Sequence, residues 1–158
     1  MRIFLLYFFF SLIIFNSTKS NIIKIIDGDT INLNGEKIRF SGIDAPESYF
    51  KGKRQICFSE KKKIMCGELS KNKLIEKIGN NFVNCIIEKK DKYNRSLGEC
   101  YINGESLSVY MVKNGYAFDW PYYSKGKFSK DQNFAKKNRL GLWSMEFQFP
   151  WEFRKKNK

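Results

Sequence analysis

Residues 21–43 contain the pattern that most restricts the fold of this chain, because three strand signals follow one another there. The apolar run NIIKII leads into the turn signal DGDT, and INLNGEKIRFSGI then contains two strand-like segments around Asn34-Gly35. An Asn-Gly pair between two such segments is a strong signal for a tight β-hairpin. The sequence therefore predicts a meander of three strands in this region.

The rest of the chain combines three predicted helices with two further strands. Apolar side chains fall on one side of residues 67–78, which predicts a helix that stops at Gly79. Further helices are predicted at residues 106–114, closed by Gly115, and at about residues 129–139. The segments FVNCIIE and SLGECYI are predicted strands, joined by the charged connector KKDKYNR.

This order of elements predicts an α+β fold that is mainly β: a five-stranded OB-type barrel with three α-helices. Such barrels commonly bind oligonucleotides on one face. The chain has the length of one domain, which is predicted to cover residues 21–145. Residues 146–158 are then a basic C-terminal tail that ends in the frayed segment FRKKNK, and the lysine-rich residues 48–64 are an irregular surface loop.

The N-terminal residues 1–20 are typical of a secretory signal peptide. They contain one early cation, Arg2, and an apolar run from Ile3 to Phe15, followed by small polar residues up to Ser20. As a helix, this run would rise about 20 Å, less than the ~30 Å hydrocarbon core of a bilayer. The sequence predicts an exported protein, periplasmic or secreted, with no stable membrane span after cleavage. An uncleaved N-terminal anchor is the alternative.

The charge balance favours polyanionic partners. The chain has 29 Lys and Arg against 16 Asp and Glu, a net charge of +13; without residues 1–20, which carry two cations and no acids, it is +11. A charge of this size attracts nucleic acid first and anionic membrane surfaces second. A solvated lysine-rich surface that reflects codon bias is the alternative.

Four cysteines in a chain that is predicted to be exported predict two disulfides. Three pairings are possible, and the spacing favours Cys57 with Cys66 and Cys85 with Cys100. The second pair also fits a hairpin between the two later strands, which brings its cysteines close together. A four-cysteine zinc site is disfavoured because the chain has no C-x-x-C pair. Free buried thiols are the alternative.

The absence of histidine narrows the possible chemistry. It excludes Ser-His and Cys-His nucleophile pairs, histidine zinc sites and histidine general bases. Three segments offer acids and cations instead. They are IIDGDT with Asp27 and Asp29, IRFSGIDAPES with Arg39, Asp44 and Glu47, and DKYNR with Asp91, Lys92, Tyr93 and Arg95.

These residue types suit phosphodiester hydrolysis. Carboxylate oxygens without His or Cys suit Ca²⁺ or Mg²⁺, and a sparse ligand set leaves room for water and a substrate phosphate. Arginine matches the charge and the fork geometry of a phosphate. Each segment is also an acceptable turn, loop or hairpin connector, so their joint occurrence carries the inference.

The motifs DGDT, IRFSGIDAPE, DKYNR, MVKNGYA and GLW, taken together, resemble the thermonuclease, or staphylococcal nuclease-like, family over about residues 22–143. The four cysteines and the FPWEFRK tail look like a bacterial exported subgroup of it. The resemblance implies an OB-type barrel and calcium-dependent endonuclease cleavage of single- and double-stranded DNA and RNA, with 3′-phosphate products. A monomer is expected, and no protein partner is implied.

The resemblance also implies a role for individual residues. Asp29, Asp44 and the backbone carbonyl of Ala45 match the calcium ligands of the family. Glu47 matches its general base or water-orienting group. Arg39 and Arg95 match the arginines that brace the phosphate.

Substrate contacts follow from the resemblance in the same way. Lys92 and Tyr93 match positions near the phosphates of the bound nucleotide. Tyr123, with Tyr122 or Trp120, offers an aromatic face on which a base can stack. Closure of the core by these aromatic side chains is the alternative.

Two other functional classes compete with the nuclease. A non-catalytic nucleic-acid-binding OB-type module would explain the fold and the charge, but such modules lose their acids and arginines. A basic membrane-surface protein would explain the charge and the leader without the acid and arginine set.

Overall fold

The computed structural model describes residues 21–158. The signal peptide predicted at residues 1–20 lies outside the described residues.

The described chain begins with the predicted meander. Strands β1 (Ile23–Asp27), β2 (Thr30–Leu33) and β3 (Glu36–Phe40) pair antiparallel in sequence order. Asn34 and Gly35 both have positive φ angles, 52° and 91°, as a two-residue turn between twisted strands requires. The hairpin prediction is confirmed.

A short strand and a second hairpin follow. Strand β4 (Ile43–Asp44) precedes β5 (Ile56–Ser59) and β6 (Lys62–Met65), which pair with each other. The prediction of an irregular loop at residues 48–64 is therefore wrong in its second half. This hairpin is peripheral and its lysines face solvent, so its sequence lacks the regular apolar alternation that is typical of a half-buried strand.

The predicted first helix and second strand pair are present. Helix α1 (Cys66–Ile78) leads to β7 (Asn84–Lys90) and β8 (Ser96–Ile102), which pair antiparallel. Disulfides join Cys57 to Cys66 and Cys85 to Cys100, as the spacing predicted.

The C-terminal half is mostly helical. Its elements are β9 (Glu105–Ser106), α2 (Leu107–Lys113), β10 (Phe118–Asp119), α3 (Pro121–Ser124), α4 (Ser129–Lys137), a 3-10 turn (Gly141–Ser144) and α5 (Pro150–Lys156). Helices α2 and α4 confirm two predicted helices. Helices α3 and α5 were not predicted.

The α+β class is confirmed, with one six-stranded sheet as its main layer. Its strands run in the order β1-β2-β3-β8-β7, and β9 pairs with β8. The inner pair, β3 and β8, is parallel, with Arg39 beside Leu97. Within residues 21–158, β1 and β7 end the sheet without pairing to each other, so the sheet is OB-like but open.

Two apolar clusters hold these elements together. The larger one packs the sheet against α1 and α2, through buried side chains such as Ile31, Phe40, Leu74 and Met111. The second, which we call the aromatic cluster, surrounds Phe118 and Leu142 and includes Trp143, Phe147, Phe149 and Trp151. None of the helices in residues 21–158 is long and apolar enough to cross a membrane.

The basic C-terminal segment is not frayed, contrary to the prediction. Pro150 opens α5, and the Phe149 N–H donates to the Glu152 carboxylate over 3.3 Å. The Trp151 ring stacks on that of Phe149 with centroids 4.5 Å apart, and Phe153 is buried. Helix α5 is therefore packed on the domain by its apolar side.

Candidate active site

Four of the predicted site residues lie in one cluster at the turn between β1 and β2 and the loop that follows β4. Asp29 lies in that turn, Arg39 is on β3 opposite Thr30, Asp44 ends β4, and Glu47 lies in the loop. We call Asp29, Asp44 and Glu47 the acid cluster.

Arg39 joins the two aspartates. Its Nη1 donates to Asp29 Oδ1 over 2.7 Å, and its Nη2 donates to Asp44 Oδ1 over 2.6 Å. Both carboxylates are almost completely buried, 2% exposed for Asp29 and fully enclosed for Asp44. A buried carboxylate needs such a partner, because an unpaired buried charge is strongly unfavourable.

The Asp29 carboxylate is held from three sides. Its Oδ1 also accepts the Thr30 hydroxyl over 2.7 Å, and its Oδ2 accepts the Ala45 backbone N–H over 2.8 Å. Asp27 makes a parallel link, since its Oδ1 accepts the Ser48 N–H over 3.2 Å. These bonds attach the loop that carries Ala45 and Glu47 to the β1–β2 turn.

The backbone of Glu47 is fixed by Gln55 and by α1. Its N–H donates to Gln55 Oε1 over 3.0 Å. Its carbonyl oxygen lies so close to the first turn of α1 that a Cβ on Gly67 would be 2.1 Å away. Only glycine allows this approach without a backbone shift.

A second arginine, Arg154 on α5, completes the cluster and was missed by the sequence prediction. Its Nη1 donates to Glu47 Oε1 over 2.6 Å and to Asp44 Oδ1 over 3.1 Å, and its Nη2 donates to Asp44 Oδ2 over 2.7 Å. A signal for α5 was present, because Pro150 and Glu152 are typical of a helix start. The sequence around Arg154 does not indicate which acids this side chain contacts.

Burial shifts the protonation of these groups. It raises the pKa of Glu47 from its ordinary 4.5 to about 7, against the opposing hydrogen bond from Arg154. Burial, with the charge of Asp29, also raises the pKa of Asp27. For Arg39, burial acts to lower the pKa, but the charges of Asp29 and Asp44 outweigh it and raise that pKa.

The structure holds Arg95 apart from the acid cluster. Its Nε donates to Asp91 Oδ2 over 2.8 Å, and its Nη2 forms an ion pair with the same oxygen at 2.7 Å within the β7–β8 connector. Burial acts to raise the pKa of Asp91, but these bonds and the backbone N–H groups of Arg95 and Tyr93 lower it. Arg95 precedes Leu97 by two residues, and Leu97 lies beside Arg39 in the sheet.

The predicted substrate contacts lie on the surface. Lys92 Nζ is 5.1 Å from the centre of the Tyr93 ring, and that ring is 68% exposed. Tyr122 and Tyr123 are 73% and 57% exposed, which leaves both available to a ligand. Trp120 instead stacks on Trp151 with centroids 6.0 Å apart, so its ring serves packing.

The oxygen atoms of the acid cluster supply part of a ligand set for a hard cation. In residues 21–158, no three Asp, Glu or Cys side chains are placed to hold a metal ion by themselves. Asp29 Oδ2 and Asp44 Oδ2 each accept one hydrogen bond, which leaves each a lone pair. Two carboxylates, with a backbone carbonyl such as that of Ala45, form the sparse oxygen set that suits Ca²⁺ or Mg²⁺ when water and substrate complete it.

A family model described as staphylococcal nuclease homologue matches residues 37–145. Among curated proteins, the chain is 32% identical to endonuclease YhcR of Bacillus subtilis (strain 168) over 153 residues, 83% of this chain and 12% of that protein. It is 31% identical to staphylococcal-like nuclease CAN1 of Arabidopsis thaliana over 121 residues, 75% of this chain and 33% of that protein.

A third relative is not named as a nuclease. The chain is 30% identical to succinoglycan biosynthesis protein ExoI of Rhizobium meliloti (strain 1021), over 76% of this chain and 62% of that protein. The matched region thus spans less than two thirds of the length of each of these relatives.

Proposed function

Because the chain belongs to the staphylococcal nuclease family, we propose that it is an endonuclease that hydrolyses phosphodiester bonds of single- and double-stranded DNA and RNA, with Ca²⁺ as cofactor. The observation that carries the proposal is the acid cluster. Asp29 comes from the β1–β2 turn, Asp44 and Glu47 come from the end of β4 and the loop after it, and the guanidinium groups of Arg39 and Arg154 join them.

Calcium would be held by Asp29, Asp44 and the carbonyl of Ala45, and when bound it would supply positive charge against the phosphoryl oxygens. The chain's own proton acceptor is Glu47. Its raised pKa suits the acceptance of a proton near neutral pH. A water oxygen then bonds to phosphorus while its proton passes to Glu47. The bond from phosphorus to the 5′-oxygen breaks, and that oxygen takes up a proton from solvent and leaves as a 5′-hydroxyl, so a 3′-phosphate remains.

The two family arginines retain donors for a phosphate. A guanidinium has five N–H groups. Arg95 uses Nε and Nη2 on Asp91, which leaves Nη1 available. Arg39 binds Asp29, Asp44 and the Ile43 carbonyl through Nη1 and Nη2, which leaves Nε available. Donors of this kind stabilise charge that develops in the transition state.

Contacts along the substrate involve the exposed residues near the arginines. Lys92 and Tyr93 would meet phosphates next to Arg95. Tyr123, with the neighbouring Tyr122, offers a ring to a base, and such stacking tolerates any base sequence. The net charge of the chain adds attraction that does not depend on sequence.

We also propose that the protein is exported, periplasmic or secreted, and acts as a monomer. Its two disulfides support this location, because disulfides persist in oxidising compartments.

Digestion of single-stranded DNA tests the proposed function. With Ca²⁺ the protein should release fragments that end in a 3′-phosphate, and with EDTA it should release none. Fragments with 3′-hydroxyl ends would contradict the proposed bond. Binding of DNA without cleavage, with Ca²⁺, Mg²⁺ and Mn²⁺ alike, would favour the alternative of a non-catalytic binding module.

A further inference from the structure

We propose that Arg154 is a positioning residue of the active site, which holds the carboxylates of Glu47 and Asp44 in place and makes helix α5 part of the catalytic unit. This inference rests on the nuclease function proposed above. It assigns a function to a segment that the sequence marked only as a basic tail.

The first support is the geometry of the contact. Arg154 bridges Asp44 and Glu47 with three hydrogen bonds between 2.6 and 3.1 Å. Two of them bind both oxygens of Asp44 with the two prongs of the guanidinium, an arrangement that fixes direction as well as distance. A lysine in this place could not reproduce it.

The second support is the enclosure of the contact. The Arg154 side chain is 20% exposed, the Glu47 side chain 16%, and that of Asp44 is fully buried. Ion pairs in such surroundings are screened less than those on an open surface. The Arg154 guanidinium also lies 5.5 Å from the centre of the Trp120 ring, which closes it from the side.

Helix α5 and Glu47 are also connected through Gln55. Gln55 is 1% exposed, and its amide accepts the Glu47 N–H while it donates to the Gln148 carbonyl over 2.7 Å. Gln148 precedes α5 by two residues. The segment that carries Arg154 therefore holds both the backbone and the side chain of Glu47.

Arg154 also determines which oxygen of Glu47 is available to accept a proton. The hydrogen bond from Arg154 Nη1 goes to Oε1. A carboxylate with one oxygen fixed by a guanidinium presents the other in a defined direction, so Oε2 is the proton acceptor. Positioning of this kind affects the catalytic step more than substrate binding, since small displacements of a reacting group can lower the rate about 10²-fold.

The same guanidinium lowers the attraction of the cluster for a divalent cation. Its positive charge contacts both oxygens of Asp44, one of the proposed calcium ligands. Removal of this charge should therefore strengthen Ca²⁺ binding while it weakens catalysis. These opposite signs separate a positioning residue from a structural one.

The test compares Arg154→Ala and Arg154→Lys with Lys155→Ala, a control that removes the same charge from an exposed position of α5. The measurements are kcat and KM on single-stranded DNA, the Ca²⁺ dissociation constant from calorimetry, and the melting temperature in EDTA. We expect Arg154→Ala to lower kcat at least ~10-fold at nearly unchanged KM. We expect its Ca²⁺ binding to be about fivefold tighter or more.

Arg154→Lys should have wild-type Ca²⁺ affinity, because it keeps the positive charge. It should recover only part of kcat, because a lysine cannot make the two-pronged contact with Asp44. Lys155→Ala should match the wild type in kcat. An Arg154→Ala variant with unchanged or higher kcat would overturn the proposal. Loss of kcat together with weaker Ca²⁺ binding and a collapsed melting temperature would also overturn it, in favour of a purely structural role.

Failure of the proposed function would look different. A wild-type protein that cleaves nothing with any divalent cation would contradict the nuclease assignment, and the positioning role with it. Calorimetry does not depend on catalytic activity, so it tests the Arg154 contact separately. Unchanged Ca²⁺ affinity in Arg154→Ala would contradict the proposed effect of this contact on the cluster.

Discussion

At the scale of the residue, Asp44 and Glu47 show how two acids three positions apart acquire different properties. Asp44 is fully buried between two arginines, whereas Glu47 has one arginine and a partly open side chain. Burial raises the pKa of Glu47 to about 7. Burial raises the pKa of Asp44 as well, against the opposing charges and hydrogen bonds of its two arginines. The partly open Glu47 suits a group that exchanges a proton near neutral pH.

The raised pKa of Glu47 predicts a pH-dependent cost to stability in the metal-free protein. Between pH 4.5, its ordinary pKa, and about 7, the folded chain binds more protons here than the unfolded chain. The contribution of Glu47 to the free energy of unfolding is therefore fully present below pH 4.5. It falls by about 3 kcal/mol as the pH rises to 7.

Glu47→Gln should therefore be more stable than the wild type by about 1–3 kcal/mol at pH 8 and nearly equal to it at pH 4. Urea unfolding in EDTA at both pH values measures this difference. The exposed Glu60→Gln is the matched control and should show no such trend. A Glu47→Gln variant that is less stable than the wild type at pH 8 would contradict the assigned environment.

Arg39 and Arg95, the two arginines proposed to brace the phosphate, should differ in how much stability is lost when each is replaced. Arg39→Ala leaves Asp29 unpaired in a buried site and should lower the stability of the metal-free protein by about 3 kcal/mol. Arg95→Ala loses a partly exposed pair with Asp91 and should cost about 1 kcal/mol or less. Both should lose ~10²–10³ in kcat. Equal stability losses, from unfolding in EDTA, would contradict this account of the cluster.

The joint occurrence of short motifs and their resemblance to a family predicted Asp29, Arg39, Asp44 and Glu47 as site residues, and the structure brings these four together. These residues lie within a short stretch of chain, where a turn, a hairpin and a proline-containing loop can be read directly. Arg154 was beyond the reach of such reasoning, because it meets Glu47 across 107 residues and Asp44 across 110. Its contact depends on the packing of α5, which periodicity in a short terminal segment does not specify.

At the scale of the element, α1 supports the site through the closeness of its first turn to Glu47. A Cβ on Gly67 would lie 2.1 Å from the Glu47 carbonyl oxygen and 2.4 Å from the Ser48 nitrogen. Both are backbone atoms, so neither can move without displacing the loop.

Gly67→Ala should therefore displace the Glu47 loop and lower kcat at least ~10-fold, since the acid is moved from its place. Some loss of stability should accompany it, by about 1–3 kcal/mol. Asn72→Ala, on an exposed position of the same helix, is the control and should keep wild-type kcat. Kinetics on single-stranded DNA decide the matter, and wild-type kcat in Gly67→Ala would contradict the role of this close contact.

Elements with local signals were predicted well, and elements that depend on neighbours were not. The Asn34-Gly35 hairpin, α1 and the β7–β8 pair all have turn residues or apolar periodicity of their own. The β5–β6 hairpin is lysine-rich and is held by the Cys57–Cys66 disulfide and by a bridge between Phe58 and Glu146. Neither of these contacts leaves a pattern within residues 48–64.

At the scale of the whole molecule, the aromatic cluster joins the C-terminal segment to the domain. Phe118 contacts Trp143, Phe147, Phe149 and Trp151, with ring centroids between 4.9 and 6.4 Å apart. The segment predicted to be a tail is thereby packed onto the same body as the sheet. The fold class followed from the order of strands and helices, whereas this integration followed from side-chain packing at long sequence separation.

The central claim is that the acid cluster is a catalytic site with Glu47 as its proton acceptor. The most direct measurement is the rate of single-stranded DNA cleavage by Glu47→Gln, at Ca²⁺ concentrations that saturate both this variant and the wild type. We predict active wild-type protein and a variant that is ~10²–10³-fold slower while it remains folded. A folded variant that cleaves at the wild-type rate would contradict the claim.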